Sequence, residues 1–353
     1  VRSYASRGVE LSYNLARNGK MAAINRAMAK ATGEIVLFSD ANNLYEANVI
    51  RELVQPFQDP RVGAATGAKI IGNGDGALGE SEGLYWKYES FIKQQETRLG
   101  NCVAVVGEVL AMRRDLFEAP PDYIINDDFY MAMRLIPQGY RVVYTPHARS
   151  YERVSPSAKD EVARRARIVA GRYQVLALAH RLLSLRYPVV VWQMISHKFL
   201  RPLVPLAMIG ALAANLIALM RPPLAAGASL RRLTPPFNWL LFLLQAVFYG
   251  LAWIGNHVAH KSRLLYLPTF LVNSNLAAVI GLYRFLRRQQ STLWERVPRR
   301  ITQAQATRWQ RMSRRIRQPR LRRWRHVPRR IRQRRLMRWQ RMPGTTRSAR
   351  RRD

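Results

Sequence analysis

Along the first 157 positions, short apolar runs alternate with stretches whose apolar residues recur every three or four positions. Glu34-Ile35-Val36-Leu37-Phe38 is an apolar run of strand length that breaks off at Ser39-Asp40-Ala41-Asn42. Ahead of it, Met21, Ile24, Ala27 and Met28 predict a helix from Lys20 to Ala31, and after it Val49, Leu53 and Phe57 predict another. The runs 62–66 and 68–71 are strand-like. A long helix is expected from about Gly79 to Leu99, with further strands at 103–112 and 140–145. Alternation of this kind predicts an α/β domain with a largely parallel sheet.

The pattern changes at residue 158. Over 158–200, Val162, Val169, Leu176 and Leu183 fall at seven-residue spacing, opposite Arg164, Arg165, Arg167, Arg172, Arg181 and Arg186. One apolar face and one arginine-rich face suit the headgroup layer of a membrane. A helix of a soluble bundle is the alternative. Over 201–286 three uncharged apolar stretches follow, at 202–220, 233–256 and 264–283. Each approaches the ~20 residues that cross a ~30 Å hydrocarbon core. A multi-pass protein of the cell inner membrane is therefore expected, with its catalytic part on the cytoplasmic side. Three crossings would separate that part from the basic carboxy terminus, so one stretch should lie in the interface or re-enter. The stretch 264–283, with Pro268, Asn273 and Asn275, is the expected one; an extra crossing at 187–199 is the alternative.

Charge sharpens this division. The chain of 353 residues carries a formal +36, but residues 287–353 alone hold 25 arginines, no lysine, and only Glu295 and Asp353 as acids. The first 161 residues are near neutral, which argues against a globally basic nucleic-acid-binding fold. The basic segment is a repeat: Trp294, Trp309, Trp324 and Trp339 recur every 15 residues, and Arg-Arg-Ile recurs at 299, 314 and 329. Its prolines and like charge predict disorder in isolation. Beside a membrane, Arg and Trp together make anionic lipid the expected partner, with nucleic acid the less favoured one. Cys102 is the only cysteine, which excludes an intramolecular disulfide. Val1-Arg2-Ser3-Tyr4 has neither an initiator Met nor a signal-peptide core, and reads like the interior of a longer chain.

Three clusters can carry chemistry. Asp40, just past an apolar strand, is placed to hold a divalent metal against a diphosphate, since ligands of open α/β sheets gather beyond strand carboxyl ends. A helix cap is the equal alternative. In Ile124-Ile125-Asn126-Asp127-Asp128-Phe129 adjacent carboxylates repel, so one pKa can rise toward that of a general base; a plain helix start is the competing assignment. Arg164, Arg165 and Arg167 can neutralise a leaving diphosphate, or simply form a snorkelling surface. Weaker patterns are taken as structural: Gly72-Asn73-Gly74-Asp75-Gly76 as a loop, His257 and His260 as solvated, and Trp86, Tyr88 and Phe91 as core packing.

With these residues in hand, the chain resembles the membrane-bound family 2 glycosyltransferases, the cellulose- and hyaluronan-synthase-like group. The resemblance runs over about residues 10–290. It rests on Asn18-Gly19-Lys20 through Asn25, Thr32 through Asn42, and Gly79-Glu80 through Glu89, then on Ala111 through Phe117, Asn126-Asp127-Asp128-Phe129 and Gly139 through Tyr144. Ser196-His197-Lys198 with Arg201 follows. It implies an A-type, Rossmann-like glycosyltransferase domain and inverting transfer from a nucleotide sugar, with a UDP-sugar favoured, to a polysaccharide or glycolipid. It also implies Mg²⁺ or Mn²⁺. Asp40 matches the first residue of the family's Asp-x-Asp metal motif and Asn42 replaces the second. Asp128 matches the catalytic base with Asp127 beside it, and Lys20 lies near the diphosphate. Arg164 and Arg167 match the family's interfacial arginines. Ile168 replaces the Trp of processive members, which leaves processive and single transfer both open. The family's first strand and Asp-Asp-Gly motif are expected before residue 10, so the chain as written is expected to be inactive alone. The competing expectation is a non-catalytic membrane-anchored remnant whose basic segment binds anionic lipid or nucleic acid.

Overall fold

The apolar run before Ser39 becomes β1 (Ile35–Phe38), and it is joined by β2 (Leu44–Tyr45), β3 (Val62–Ile71), β4 (Leu110–Arg113) and β5 (Arg141–Glu152). The computed structural model describes residues 2–15, 18–71, 76–152, 158–220, 227–258 and 263–290. The glycine-rich positions 72–75, His260 and nearly all of the arginine repeat lie outside the described residues. Helices are α1 (Gly19–Met28), α2 (Val49–Val54), α3 (Gly76–Arg98), α4 (Asp127–Met133), α5 (Ala158–Ala177) and α6 (Ala179–Leu182). They continue with α7 (Pro188–Gln193), α8 (Val204–Met220), α9 (Phe237–His257) and α10 (Arg263–Leu286).

The strands form one sheet in the order β1-β4-β3-β5-β2. Its direction departs from the expected largely parallel arrangement: only β3 and β5 pair in parallel, while β1–β4, β3–β4 and β2–β5 are antiparallel. The sheet is mixed because β4 comes back between β1 and β3 after the long helix α3. Successive side chains alternate between faces as a pleated strand demands. Ala64, Leu110, Met112 and Val142 pack with residues of α4, α5 and α7 on one side. Ala65, Val109, Ala111 and Val143 pack with Val49 and Leu53 of α2 on the other. The β3–β5 register slips between Gly67 and Ala68. A side chain at Gly67 would collide with the Ala148 carbonyl and come 2.6 Å from Val109, so only glycine lets the slipped strands close up.

The three apolar stretches appear as α8, α9 and α10, and among the described residues three helical paths are long and apolar enough to cross a membrane: 188–220, 237–257 and 264–286. Before α8, the helical path packs on the sheet through Val190, Met194 and Phe199, which ties the 187–199 stretch to the sheet domain. α10 is a single helix with Pro268 inside it. It lies on α5, where a Cβ at Gly281 would come 2.7 Å from the Ala166 carbonyl and 3.1 Å from the Ala170 nitrogen. That close approach fixes α5, and with it the arginines expected to face headgroups. Three of them turn inward instead, whereas Arg172 is half-buried and Arg186 is exposed. Arg165 pairs with Glu82 and, at 2.8 Å, with Glu161; Arg164 pairs with Glu161 at 2.6 Å; and Arg167 is buried. Buried carboxylates within reach outweigh the solvation these guanidinium groups would have at the surface.

Candidate active site

The site collects where α1, the end of β1 and the start of α4 meet. Gly19, at φ +86°, turns the chain into α1 and places Lys20 in its first turn. The Lys20 ammonium stands 3.6 Å from Asp40 Oδ1 and 3.6 Å from Asp127 Oδ2, bridging the two carboxylate clusters picked out in the sequence. Asp128 is held by backbone: its Oδ2 accepts from the Gly107 N–H at 2.8 Å and its Oδ1 from the Phe129 N–H at 2.8 Å. α5 accepts from the segment before α4: the Asn126 amide donates to the Ile168 carbonyl at 3.0 Å, and the Ile125 N–H donates to the Gln174 side chain at 3.0 Å. Gly171 admits this packing, since a Cβ there would come within 2.7 Å of the Asn126 amide. Asp127 and Asp128 therefore start a helix, as the competing assignment had it, yet they face a lysine rather than bulk water.

The electrostatics favour proton uptake at Asp128. Burial and then the Asp127 charge raise the pKa of Asp128, with Lys20 and the two N–H donors opposing. Burial works to lower the pKa of Lys20, but Asp127, Asp40 and Asp128 together outweigh it, so the ammonium is held charged more firmly than usual. Arg167 is pulled down by burial and pushed back by Asp127 and Asp128. Since Asp128 binds its proton at a higher pH than an ordinary carboxyl, a reaction needing it ionised is lost as the pH falls through that raised value. Asp127→Asn removes the raising charge and releases Lys20. The acidic limb of a kcat/KM–pH profile should therefore move to lower pH, and a limb that stays put would detach Asp127 from the base.

Lys20, Asp40, Asp127, Asp128 and Arg167 thus come together. Asn42 and Arg164 are engaged elsewhere. The Asn42 amide donates to Glu152 Oε1 at 2.7 Å. Glu152 also pairs with Lys69, which lies 3.1 Å from Glu108 Oε2. Asn43 and Tyr45 donate to the Glu108 carbonyl at 3.0 and 2.5 Å, so the loop after Asp40 is stitched to the residue after Gly107. The sequence pointed to none of Gly107, Glu108, Lys69 or Glu152; for Lys69 and Glu108 the signal is a charge inside an otherwise apolar run. Among the described residues no three His, Cys, Asp or Glu side chains converge as a metal cluster. A divalent ion that takes most of its ligands from phosphate and water needs fewer, and Asp40, half-exposed at a strand end, fits that sparse donor set. The Asn42 nitrogen is committed to Glu152, which leaves its neutral oxygen uncommitted by that bond.

The glycosyl transferase family group 2 profile matches residues 35–280, more than half of the chain. The chain belongs to this family. A Bradyrhizobium diazoefficiens N-acetylglucosaminyltransferase is 27% identical over 187 residues, covering 48% of this chain and 38% of that protein. A Staphylococcus aureus poly-beta-1,6-N-acetyl-D-glucosamine synthase is 26% identical over 164 residues, covering 45% of this chain and 40% of that protein. The chain therefore spans about two fifths of the length of these family members, at 38% and 40%. Among solved structures, a mannosyltransferase from Pyrobaculum calidifontis in complex with GDP-Man and Mn2+ superposes with a TM-score of 0.61 at 23% identity, over 82% of this chain and 73% of that one. The fold is accordingly the A-type glycosyltransferase fold followed by apolar helices, as the resemblance implied.

Proposed function

We propose that the protein is a membrane glycosyltransferase that moves a sugar, with inversion, from a nucleotide sugar to a polysaccharide or glycolipid. The observation that carries this is the Asp128 carboxylate, held by two N–H groups at 2.8 Å beside the Asp127–Lys20–Asp40 chain of charges. Asp128 takes the proton of an acceptor hydroxyl as that oxygen bonds to the anomeric carbon, while the bond from that carbon to the diphosphate breaks and its electron pair leaves with the diphosphate. Lys20 and Arg167 meet the charge that develops on the leaving group, and Asp127 keeps Lys20 in place between the two halves of the site. Asp40, with the Asn42 oxygen, would hold Mg²⁺ or Mn²⁺. Such an ion supplies Lewis-acid neutralisation of the diphosphate.

The donor we favour is a UDP-sugar. Support for a glycan acceptor comes from the synthase relative, and support for membrane crossing comes from the three apolar helical paths among the described residues; the inner membrane, with the active site on the cytoplasmic side, is the location we assign. Arg164, paired to Glu161, takes a supporting place in the binding surface, and the arginine repeat beyond residue 290 is assigned to anionic lipid.

The experiment is release of nucleoside diphosphate by the full-length protein in nanodiscs, over a panel of UDP- and GDP-sugars, with Mn²⁺ and with chelator. Metal-dependent release from a UDP-sugar is expected; release from none of the donors, in a folded preparation, would refute the proposal. Arg167→Ala should lower kcat by about 10²-fold with a smaller change in KM, the size seen when one donor to developing charge is lost. Arg167→Lys should recover only part, because a point charge replaces a planar fork.

A further inference from the structure

A helix on a water-soluble surface buries its apolar face and exposes its polar one. α3 does the reverse. Its Glu82, Glu89, Lys93 and Glu96 are only 2–5% exposed, whereas Leu84, Tyr88, Phe91 and Leu99 just past its end are 58–65% exposed. The buried charges all have partners. Glu82 pairs with Arg165, Glu89 with His197 at 3.0 Å and Arg201 at 2.8 Å, and Glu96 with His197 at 2.6 Å. Lys93 lies over the rings of Trp86 and Tyr144. The acids of residues 82–98 are therefore all spent inward, and the outer row carries Leu84, Lys87, Tyr88, Phe91, Arg98 and Leu99. Tyr88 and Phe91 accordingly do not join the core, contrary to the packing role expected for them; only Trp86 packs there.

An apolar row flanked by cations and free of acids is the composition of a helix lying in the headgroup layer of an anionic membrane. Position points the same way. His197 and Arg201 bind α3 to the segment that runs directly into α8, and on that segment Trp192, Ile195, Leu200 and Leu203 are also exposed. The Tyr85 ring lies 6.0 Å from Phe270 of α10, and Arg201 donates to the Tyr85 hydroxyl at 3.1 Å. The outer row of α3 is thus continuous with the apolar helices. We propose that α3 is a lipid-contacting helix of the catalytic domain, resting in the interface of an anionic bilayer and setting the height of the active site above it. The inference rests on the membrane assignment of α8–α10.

The test uses environment-sensitive bimane labels on introduced cysteines in the full-length protein, reconstituted in anionic nanodiscs; Cys102 is buried and takes no label. Labels go at Phe91→Cys and at Tyr88→Cys, the latter keeping a report if the former misfolds. Leu243→Cys on α9 and Ile50→Cys on α2, both exposed, serve as membrane and water controls. The expected result is that positions 91, 88 and 243 lose most of their fluorescence to lipids carrying a doxyl quencher high on the acyl chain, and little to aqueous iodide, with position 50 the reverse. If 243 responds to lipid while 91 and 88 respond to iodide, α3 faces water and the inference falls with the membrane assignment intact. If 91 and 88 respond to neither quencher, a protein surface, a second copy or another segment, covers α3 and the inference is overturned. If 243 responds only to iodide, the membrane assignment itself fails and takes the inference with it.

Discussion

Asp128→Asn in the full-length protein should lower kcat for sugar transfer by about 10³-fold while leaving donor binding nearly unchanged, the range expected when a positioned general base is lost. The substitution keeps size and can still accept the Gly107 N–H bond through its amide oxygen, while its amide nitrogen cannot accept from the Phe129 N–H, so one of the two bonds is lost and the helix start otherwise keeps its shape. What it removes is the ability to take a proton. Titration of nucleoside diphosphate binding by calorimetry beside a transfer assay separates the two effects. A variant that binds donor normally and transfers at the wild-type rate would remove Asp128 from the chemistry.

Gly107→Ala should also be damaging, although it adds only a methyl group. A Cβ at this position would lie 2.8 Å from Asp128 Oδ2 and 2.9 Å from its Cβ, closer than atoms pack. Asp128 must then move away from the N–H that orients it. A displacement of about 1 Å at a reacting group costs about 10²-fold in rate. The loss should fall in kcat, with unchanged thermal stability of the apolar helices and unchanged metal dependence. Normal kcat in a folded Gly107→Ala protein would mean that the Gly107 N–H does not set the position of the base.

Much of the framework was legible in the residues. Ile35–Phe38 is too short for a helix of its own and forms the half-buried edge strand β1, and the three apolar stretches match α8, α9 and α10 to within a few residues. The strand expected at 103–112 is only partly realised, and the reason is the site itself. The Val106 N–H goes to Thr66 Oγ1 at 3.0 Å and the Gly107 N–H to Asp128, so no ladder forms before β4 begins at Leu110. β5 continues past the expected end at Thr145 because the register slip accommodates Pro146, a residue that normally stops a strand.

Of the site, the carboxylates were legible as types in a pattern, since Asp40 follows a strand and Asp127-Asp128 precedes a helix. Their meeting through Lys20 was not, because it depends on the return of the chain over more than a hundred residues, from α1 to α4. The inverted amphipathicity of α3 was hidden for a related reason. Charges spaced along a helix read as its wet side until their partners, His197, Arg201 and Arg165, are seen to arrive from elsewhere in the chain.

The most direct test of the central claim is the anomeric configuration of the new glycosidic bond, read by NMR on product made from an α-linked UDP-sugar by the full-length protein. A single displacement with Asp128 as base on the acceptor side has to deliver the opposite, β configuration. A β-linked product, absent with Asp128→Asn, is the expected result; an α-linked product would contradict it.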